Sequence, residues 1–240
     1  MVGTHALFQD DVVFERLGLV IVDEQHRFGV HQRLALREKG VAGQVPHQLV
    51  MTATPIPRTL AMTAYADLDL SLIDELPPGR TPVSTVVIKD SRRDQVVERV
   101  AMACRDGRQA YWVCTLIEES EALQCQAAED TAAALAEALD GLRVGLVHGR
   151  LRAADKEAVM SAFKTGQIDL LVATTVVEVG VDVPNATVMV VEHAERFGLA
   201  QLHQLRGRVG RGDKGGECVL IGNAEAGDAS ERLRVMTQTN

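Results

Sequence analysis

The chain of 240 residues contains few aromatic side chains, which make up only 3% of it. Proteins that bind single-stranded nucleic acid often stack the bases on aromatic rings, and this composition does not indicate such a platform. The formal net charge of −8 also argues against a generally basic surface. Any contact with nucleic acid must therefore be made by a few local groups.

The chain also lacks the cysteine spacing of zinc sites and the long apolar runs of membrane proteins. No CxxC pair occurs, so the cysteines predict reduced thiols in the core or at the surface, and neither a zinc site nor a disulfide framework. No apolar run approaches the roughly 20 residues of a membrane span. The first ten residues do not resemble a signal peptide. We therefore expect a soluble, cytoplasmic protein. The four cysteines are Cys104, Cys114, Cys125 and Cys218.

Hydrophobic residues make up 46% of the chain, which is enough for a packed core. Short apolar runs alternate with helical patterns, as is typical of βαβ units and a mainly parallel sheet in an α/β fold. Strands are predicted at 17–22, 48–53, 82–88, 109–114, 144–147, 168–173, 188–191 and 217–221. Helices are predicted at 33–40, 59–65, 92–105, 127–139, 153–163 and 199–206, and a polar helix begins within 224–240.

A domain boundary is predicted at residues 74–82, which read DELPPGRTP. This stretch holds three of the seven prolines of the chain. Proline lacks a backbone N–H and restricts the residue before it, so neither a helix nor a sheet passes through easily.

The chain is organised around residues 17–27, where an apolar run ends directly in Asp23 and Glu24. A short apolar run of this kind predicts a strand buried on both faces of a parallel sheet. Ligands of such sheets bind beyond the carboxyl ends of the strands. One carboxylate can hold Mg²⁺ through water, and the next can orient or deprotonate an attacking water. The alternative is an acidic loop without chemistry.

Three further polar segments follow predicted strands or end a predicted helix: residues 52–54, 174–182 and 204–211. Each has a simpler interpretation, namely threonine hydroxyls that bond their own backbone, a turn with Gly180 at positive φ, or a solvated basic helix end. The last alternative is weak. Arg206, Arg208 and Arg211 occur with glycines between them, and such guanidinium groups can approach phosphate and bind it bidentately.

In chain order, the segments GTHA, VDEQHRFGV, TATPIPRTL, ATTVVEVGVDVPNAT and QLRGRVGR resemble the motor core of superfamily 2 helicases. The wording DEQHRFGVHQR and DELPPGRTP is similar to the RecG family, ATP-dependent DNA helicases that remodel replication forks and four-way junctions in recombination and repair. The resemblance covers residues 2–222. Two alternatives stay open: a transcription-repair coupling translocase of the Mfd type, and a non-enzymatic DNA- or protein-binding module.

The resemblance implies tandem RecA-like lobes with mainly parallel sheets. Residues 1–76 would form the carboxy-terminal part of an incomplete first lobe, and 77–82 a linker. Residues 83–223 would form a complete second lobe, and 224–240 the start of a further segment. ATP would bind in the cleft between the lobes.

In the first lobe, the resemblance implies a set of hydrolytic residues. Asp23 matches the aspartate that holds Mg²⁺-ATP, and Glu24 matches the base for the attacking water. His26 matches a position that links hydrolysis to the coupling segment, which contains Thr52 and Thr54.

In the second lobe, the resemblance implies groups that reach the nucleotide. Arg208 and Arg211 match arginine fingers directed at the γ-phosphate, and Gln204 begins that motif. Gly180 and Asp182 match positions near the nucleotide.

The resemblance also implies contacts to the DNA backbone, at His5 in the first lobe and at Thr174 and Thr175 in the second. Contacts to phosphate carry no sequence information, which fits an acidic chain with local basic loops. The implied partner is branched DNA, namely replication forks and Holliday junctions, bound by a monomeric motor.

The chain departs from the family pattern in one essential part. A glycine-rich phosphate loop of the form GxxxxGK[ST] does not occur in residues 1–240. The family's amino-terminal wedge domain and its carboxy-terminal coupling segment are not matched either. We therefore expect a fragment that does not hydrolyse ATP by itself.

Overall fold

The chain forms two compact units, Met1–Leu72 and Ile73–Asn240, each with its own parallel sheet. The computed structural model describes residues 1–9, 11–24, 39, 45–52, 69–73, 75, 80–114, 121–174, 183–212, 214–223 and 228–238. The helices predicted at 33–40 and 59–65 lie outside these residues, apart from Lys39. Across the described ranges, no helix combines the length and the apolar character that crossing a membrane requires.

The first unit contains a two-stranded parallel sheet. Strand β1 is Leu19–Val22 and strand β2 is His47–Val50, and both were predicted from their apolar runs. The strands run in register, with Val22 opposite Val50. Their carboxyl ends therefore meet at one edge, and this is the edge at which Asp23 follows β1.

The prediction that β1 is buried on both faces was wrong. Val20 and Val22 are each 8% exposed, whereas Leu19 and Ile21 are each 57% exposed. The two valines pack with Leu17 on one face of the sheet. No described layer covers the opposite face, so the alternate side chains of the strand remain exposed.

The second unit contains a six-stranded parallel sheet with the strand order β3-β8-β7-β4-β6-β5. This sheet, with helices between its strands, is the α/β architecture that the alternating pattern predicted. The strands are β3 (Ser84–Ile88), β4 (Gln109–Val113), β5 (Val144–Val147), β6 (Leu170–Ala173), β7 (Ala186–Val191) and β8 (Glu217–Ile221). The helices are α1 (Arg93–Arg105), α2 (Glu121–Ala138), α3 (Ala153–Lys164), α4 (Leu199–Arg206) and α5 (Asp228–Gln238).

Helices cover both faces of this sheet. Side chains of α1 and α2 pack with one face, and those of α3, α4 and α5 pack with the other. Successive residues of β4 show this division. Tyr111 packs on the face covered by α3, α4 and α5, and Trp112 packs on the face covered by α1 and α2. Strands β4, β6 and β7 are buried along their whole length, as a sheet covered on both faces requires.

The observed bounds agree closely with the prediction for most elements of this unit. Helix α4 and strands β5 and β8 have the predicted bounds, whereas α2 begins earlier, at Glu121. The prediction of a polar carboxy-terminal helix was wrong for one face of α5, because Leu233 and Met236 are 1% and 0% exposed. The four cysteines are free thiols in buried positions.

Candidate functional site

The acidic pair Asp23-Glu24 follows β1 directly. Asp23 is exposed and Glu24 is half-buried. The Asp23 carboxylate accepts a hydrogen bond from the Glu24 backbone N–H at 2.8 Å. Glu24 has a φ of 52°, which is uncommon for a residue other than glycine and is a form of backbone strain often found at functional sites. The strand end therefore presents two carboxylates in a constrained turn.

These two carboxylates suit the chemistry implied for them. An exposed aspartate at the end of a parallel strand offers the hard oxygen ligand that Mg²⁺ prefers, with room for the waters that Mg²⁺ retains. Glu24 has one carboxylate oxygen, Oε2, in a buried position. The donor set therefore fits a hydrated magnesium ion held by Asp23, next to a second carboxylate of different exposure.

Thr52 lies at the same edge of the two-stranded sheet as the acidic pair. The Met51 N–H donates to the Val22 carbonyl at 2.8 Å, so the chain after β2 continues beside the chain after β1. Thr52 is half-buried. His26 and Thr54, the other residues predicted here, lie outside the described residues.

His5 belongs to a short 3-10 helix, His5–Phe8. Thr4 takes the N-cap position of this helix, but its side chain makes no capping hydrogen bond. Thr4 therefore begins this helix through its backbone and not through its hydroxyl.

Thr174 follows β6 at the carboxyl edge of the six-stranded sheet. Its backbone N–H donates to the Val147 carbonyl at 3.3 Å, and the residue is 4% exposed. Its hydroxyl has no hydrogen-bond partner within the part of the chain that the structure describes. Thr175, Gly180 and Asp182 lie outside that part. The structure thus puts Thr174 at the predicted edge, with its side chain directed inward.

Helix α4 leads into the arginine-containing segment, residues 204–211. The Gly198 N–H donates to the Gln201 side chain at 3.0 Å, which satisfies one backbone donor at the start of the helix. Leu202 and Leu205 are 0% and 8% exposed and anchor the helix to the core. Gln204, in the last turn, is half-buried.

Arg206 is a structural residue, although the sequence grouped it with the arginines able to bind phosphate. It is 6% exposed. Its Nη1 donates to the Met236 carbonyl at 3.1 Å, and its Nη2 lies 2.8 Å from His203 Nδ1. Burial lowers the pKa of the Arg206 guanidinium, and burial followed by the Arg206 charge lowers the pKa of His203. Arg206 therefore joins α4 to a carbonyl of the last turn of α5.

Arg208 and Arg211 lie in the loop that follows α4. Arg208 is half-buried and Arg211 is exposed. The Arg211 Nε donates to the Gly207 carbonyl at 3.0 Å. This bond holds the arginine against the end of the helix, where the unpaired carbonyls attract cations. The two residues implied to act as arginine fingers are thus carried by one turn.

Arg80 contributes to this turn and was not predicted to do so. Its Nη2 donates to the same Gly207 carbonyl at 3.2 Å, across 127 positions of the chain. The only signal in the sequence is an arginine in the proline-rich linker, and no local pattern connects it with α4.

Gly210 is a position at which the fold of the loop requires glycine. Its φ is +68°, and a Cβ there would lie 3.1 Å from the Cα and the N of Gly216. Both the backbone conformation and the close approach of a second glycine exclude a side chain. The glycine spacing of the sequence therefore has a physical cause in this loop.

We expect Gly210→Ala to destabilise the second unit by about 1–2 kcal/mol for the left-handed conformation and about 1–3 kcal/mol more for overpacking. Gly141→Ala is the matched control, because Gly141 has a φ of +80° but a Cβ there would meet nothing within 4 Å. Urea unfolding followed by fluorescence of Trp112, the one tryptophan of the chain, measures both. Equal losses in the two variants would contradict the packing argument.

A family model described as helicase conserved C-terminal domain matches residues 91–213, about half of the chain. Among curated relatives, the ATP-dependent DNA helicase RecG of Pasteurella multocida (strain Pm70) is 65% identical over 242 residues. RecG of Escherichia coli (strain K12) is 65% identical over 243 residues, and RecG of Bacillus subtilis (strain 168) is 52% identical over 241. These alignments cover 100% of this chain and 35% of each relative, so the chain spans about a third of their length.

One solved structure shows the same relationship, and a second supports the fold. The structure of RecG bound to a three-way DNA junction matches with a TM-score of 0.76 and 46% identity, over 100% of this chain and 30% of that chain. The Mycobacterium smegmatis helicase Lhr, bound to ssDNA and AMP-PNP, matches with a TM-score of 0.66 over 91% of this chain and 31% of that chain. At 18% identity, the second match supports the fold alone.

The second unit therefore has the fold of a RecA-like helicase lobe, in agreement with the predicted fold class. High identity to RecG extends over the whole chain, including the first unit. The chain belongs to the family of proteins with the helicase conserved C-terminal domain.

Proposed function

We propose that this chain is part of an ATP-dependent DNA helicase of the RecG type, which drives branch migration and remodels forks and Holliday junctions in recombination and repair. The observation that carries the proposal is the 65% identity to RecG helicases over the whole chain. The residues that ATP hydrolysis needs from this region are present in both units.

In the first unit, Asp23 and Glu24 have separate roles in the proposal. Asp23 holds Mg²⁺ through its exposed carboxylate, and the metal, when bound, supplies positive charge to the phosphates of ATP. Glu24 accepts a proton from the attacking water, and its constrained backbone fixes the direction of its Cα–Cβ bond. Thr52, with His26 and Thr54, transmits the state of this site to the DNA-binding groups.

In the second unit, Arg208 and Arg211 stabilise the charge that develops on the γ-phosphate. Gln204, Gly180 and Asp182 contribute to nucleotide binding. His5 and Thr175 contact the DNA backbone without reading sequence. Thr174, implied to belong to the same contact, is 4% exposed, so it supports the backbone beside Thr175 and its side chain does not bind the DNA directly. Residues 1–76 are assigned to the first helicase lobe, 77–82 to the linker, 83–223 to the second lobe and 224–240 to the following segment.

The partner in this proposal is branched DNA, on which the motor acts as a monomer. Support comes from the solved relative, RecG bound to a three-way DNA junction. Action on cellular DNA is compatible with a cytoplasmic location.

We expect purified residues 1–240 to hydrolyse no ATP above background, since GxxxxGK[ST] does not occur in them. The lysine and backbone amides of that loop hold the β- and γ-phosphates. Phosphate release is measured with and without a three-way DNA junction. The positive control is the longer RecG-type helicase of which these residues are proposed to be a part, called the full-length helicase below. DNA-stimulated turnover by residues 1–240, lost on Glu24→Gln, would contradict the expected inactivity.

The proposed function itself is tested with the full-length helicase on a fluorescently labelled three-way junction. We expect ATP-dependent strand separation that exceeds the activity on a linear duplex of the same sequence. Equal activity on junction and linear duplex would refute the junction-specific role, and ATP-independent binding alone would refute the helicase.

A further inference from the structure

The Gly207 carbonyl accepts hydrogen bonds from two arginines that lie far from each other in the sequence. Arg211 Nε donates to it at 3.0 Å and Arg80 Nη2 at 3.2 Å. A carbonyl oxygen has two lone pairs and can accept both bonds. This carbonyl follows α4, where backbone acceptors lack intrahelical partners and the helix dipole attracts positive charge.

Residues 80–84 contact the loop after α4 at several points. Val83 Cγ2 would lie 3.2 Å from a Cβ at Gly210 and 3.0 Å from a Cβ at Gly216. The Ser84 N–H donates to the Gly216 carbonyl at 2.9 Å. Arg80 is thus one of several contacts that align the chain before β3 with the loop that carries Arg208 and Arg211.

Among these contacts, Arg80 has a distinct place. Val83 and Ser84 contact the far side of the loop, at Gly210 and Gly216, whereas Arg80 is bonded at its start. The side chain of Arg80 is half-buried, so water competes less for its bond than for one at an exposed arginine. Arg80 also lies in the segment with which the second unit begins.

We propose that Arg80 is a positioning residue for the arginine pair: it holds the Gly207 carbonyl and thereby fixes the turn from which Arg208 and Arg211 extend. This inference rests on the proposed role of that pair in ATP hydrolysis. It assigns a function to the linker, because a displacement of the linker would change the geometry of the two arginines.

The test compares Arg80→Gln and Arg80→Lys in the full-length helicase. We expect Arg80→Gln to lower the kcat for ATP about tenfold, with KM changed less than about twofold, since misplacing a group that acts in the transition state lowers turnover more than binding. Arg80→Lys is expected to stay within about threefold of the unchanged protein, because its ammonium reaches nearly as far as the guanidinium and can still donate to the carbonyl. The glutamine amide also carries N–H donors, but it lies two bonds nearer the backbone than Arg Nη2 and falls short of the carbonyl. An unchanged kcat in Arg80→Gln would overturn the inference.

Hydrogen exchange of residues 1–240 gives a second readout that does not depend on activity. We expect Arg80→Gln to speed exchange of the amides of residues 207–212 and to leave those of β4 unchanged. Faster exchange throughout the second unit would instead indicate general destabilisation and would also overturn the positioning role.

Arg105→Gln is the matched control. Arg105 is exposed at the end of α1 and also donates to a backbone carbonyl, that of Asp140 at 3.4 Å. We expect it to change neither kcat nor exchange at residues 207–212. Arg211→Ala distinguishes a failure of the proposed function from a failure of the Arg80 inference. If this variant leaves kcat unchanged, the proposed role of Arg208 and Arg211 in hydrolysis fails. The exchange rates of residues 207–212 in Arg80→Gln still decide whether Arg80 holds the turn.

Discussion

Glu24→Gln is expected to lower the kcat of the full-length helicase for ATP on the order of a thousandfold, within the range of 10²–10⁴ for a general base. Glutamine has the same shape as glutamate and can hold a water, but it does not accept the proton of that water at neutral pH. The backbone at Glu24 has a φ of 52°, which strains any residue other than glycine. Glutamine has the same strain there as glutamate, so the substitution does not change the stability of this turn through the backbone.

The measurement is steady-state phosphate release with saturating junction DNA, together with ATP affinity from a fluorescent analogue. We expect affinity to change by less than about threefold, since the lost interaction belongs to the transition state. Glu15→Gln, at an exposed glutamate of the same unit, controls for the loss of one negative charge. Turnover of Glu24→Gln within tenfold of the unchanged protein would remove Glu24 from the role of base.

Arg211→Ala is expected to lower kcat by a factor of about 10³, the lower end of the range for an arginine finger. The guanidinium supplies positive charge and paired donors where negative charge develops, and alanine supplies neither. Since Arg211 also donates to the Gly207 carbonyl, Arg211→Lys tests whether charge alone is sufficient. We expect the lysine variant to recover only a small part of the loss, because an ammonium lacks the planar fork.

Lys214→Ala is the local control for this prediction. Lys214 is an exposed cation in the same loop, and its removal changes the net charge by the same amount. We expect Lys214→Ala to keep kcat within about twofold. An equal loss in Arg211→Ala and Lys214→Ala would mean that the loop acts through general positive charge and that Arg211 has no specific role.

Much of the second unit could be predicted from sequence because its signals are local. Apolar runs of strand length, separated by helical periods, indicated the parallel sheet, and strands β5 and β8 and helix α4 have the predicted bounds. The acidic pair after β1 and the arginines after α4 were found in the same way, since polar groups at strand and helix ends follow directly from the order of the residues.

The first unit shows where local pattern fails. The run 17–22 reads as a strand, and β1 is a strand, but no local signal states which of its faces is covered. Leu19 and Ile21 are exposed because burial depends on what packs from elsewhere in the chain. The prediction that α5 is polar was wrong on one face for the same reason. Leu233 and Met236 are buried because they pack against the rest of the second unit.

The sequence by itself determined the α/β class, the alternation of elements and the identity of the acidic and basic groups, because these depend on neighbours along the chain. Only the tertiary structure decided which groups these arginines and glycines contact. Arg206 is buried against Met236, Gly210 faces Gly216, and Arg80 reaches Gly207 across 127 positions. Side-chain direction and long-range partners arise from packing, so residues close together in sequence, such as Arg206 and Arg208, acquire different surroundings.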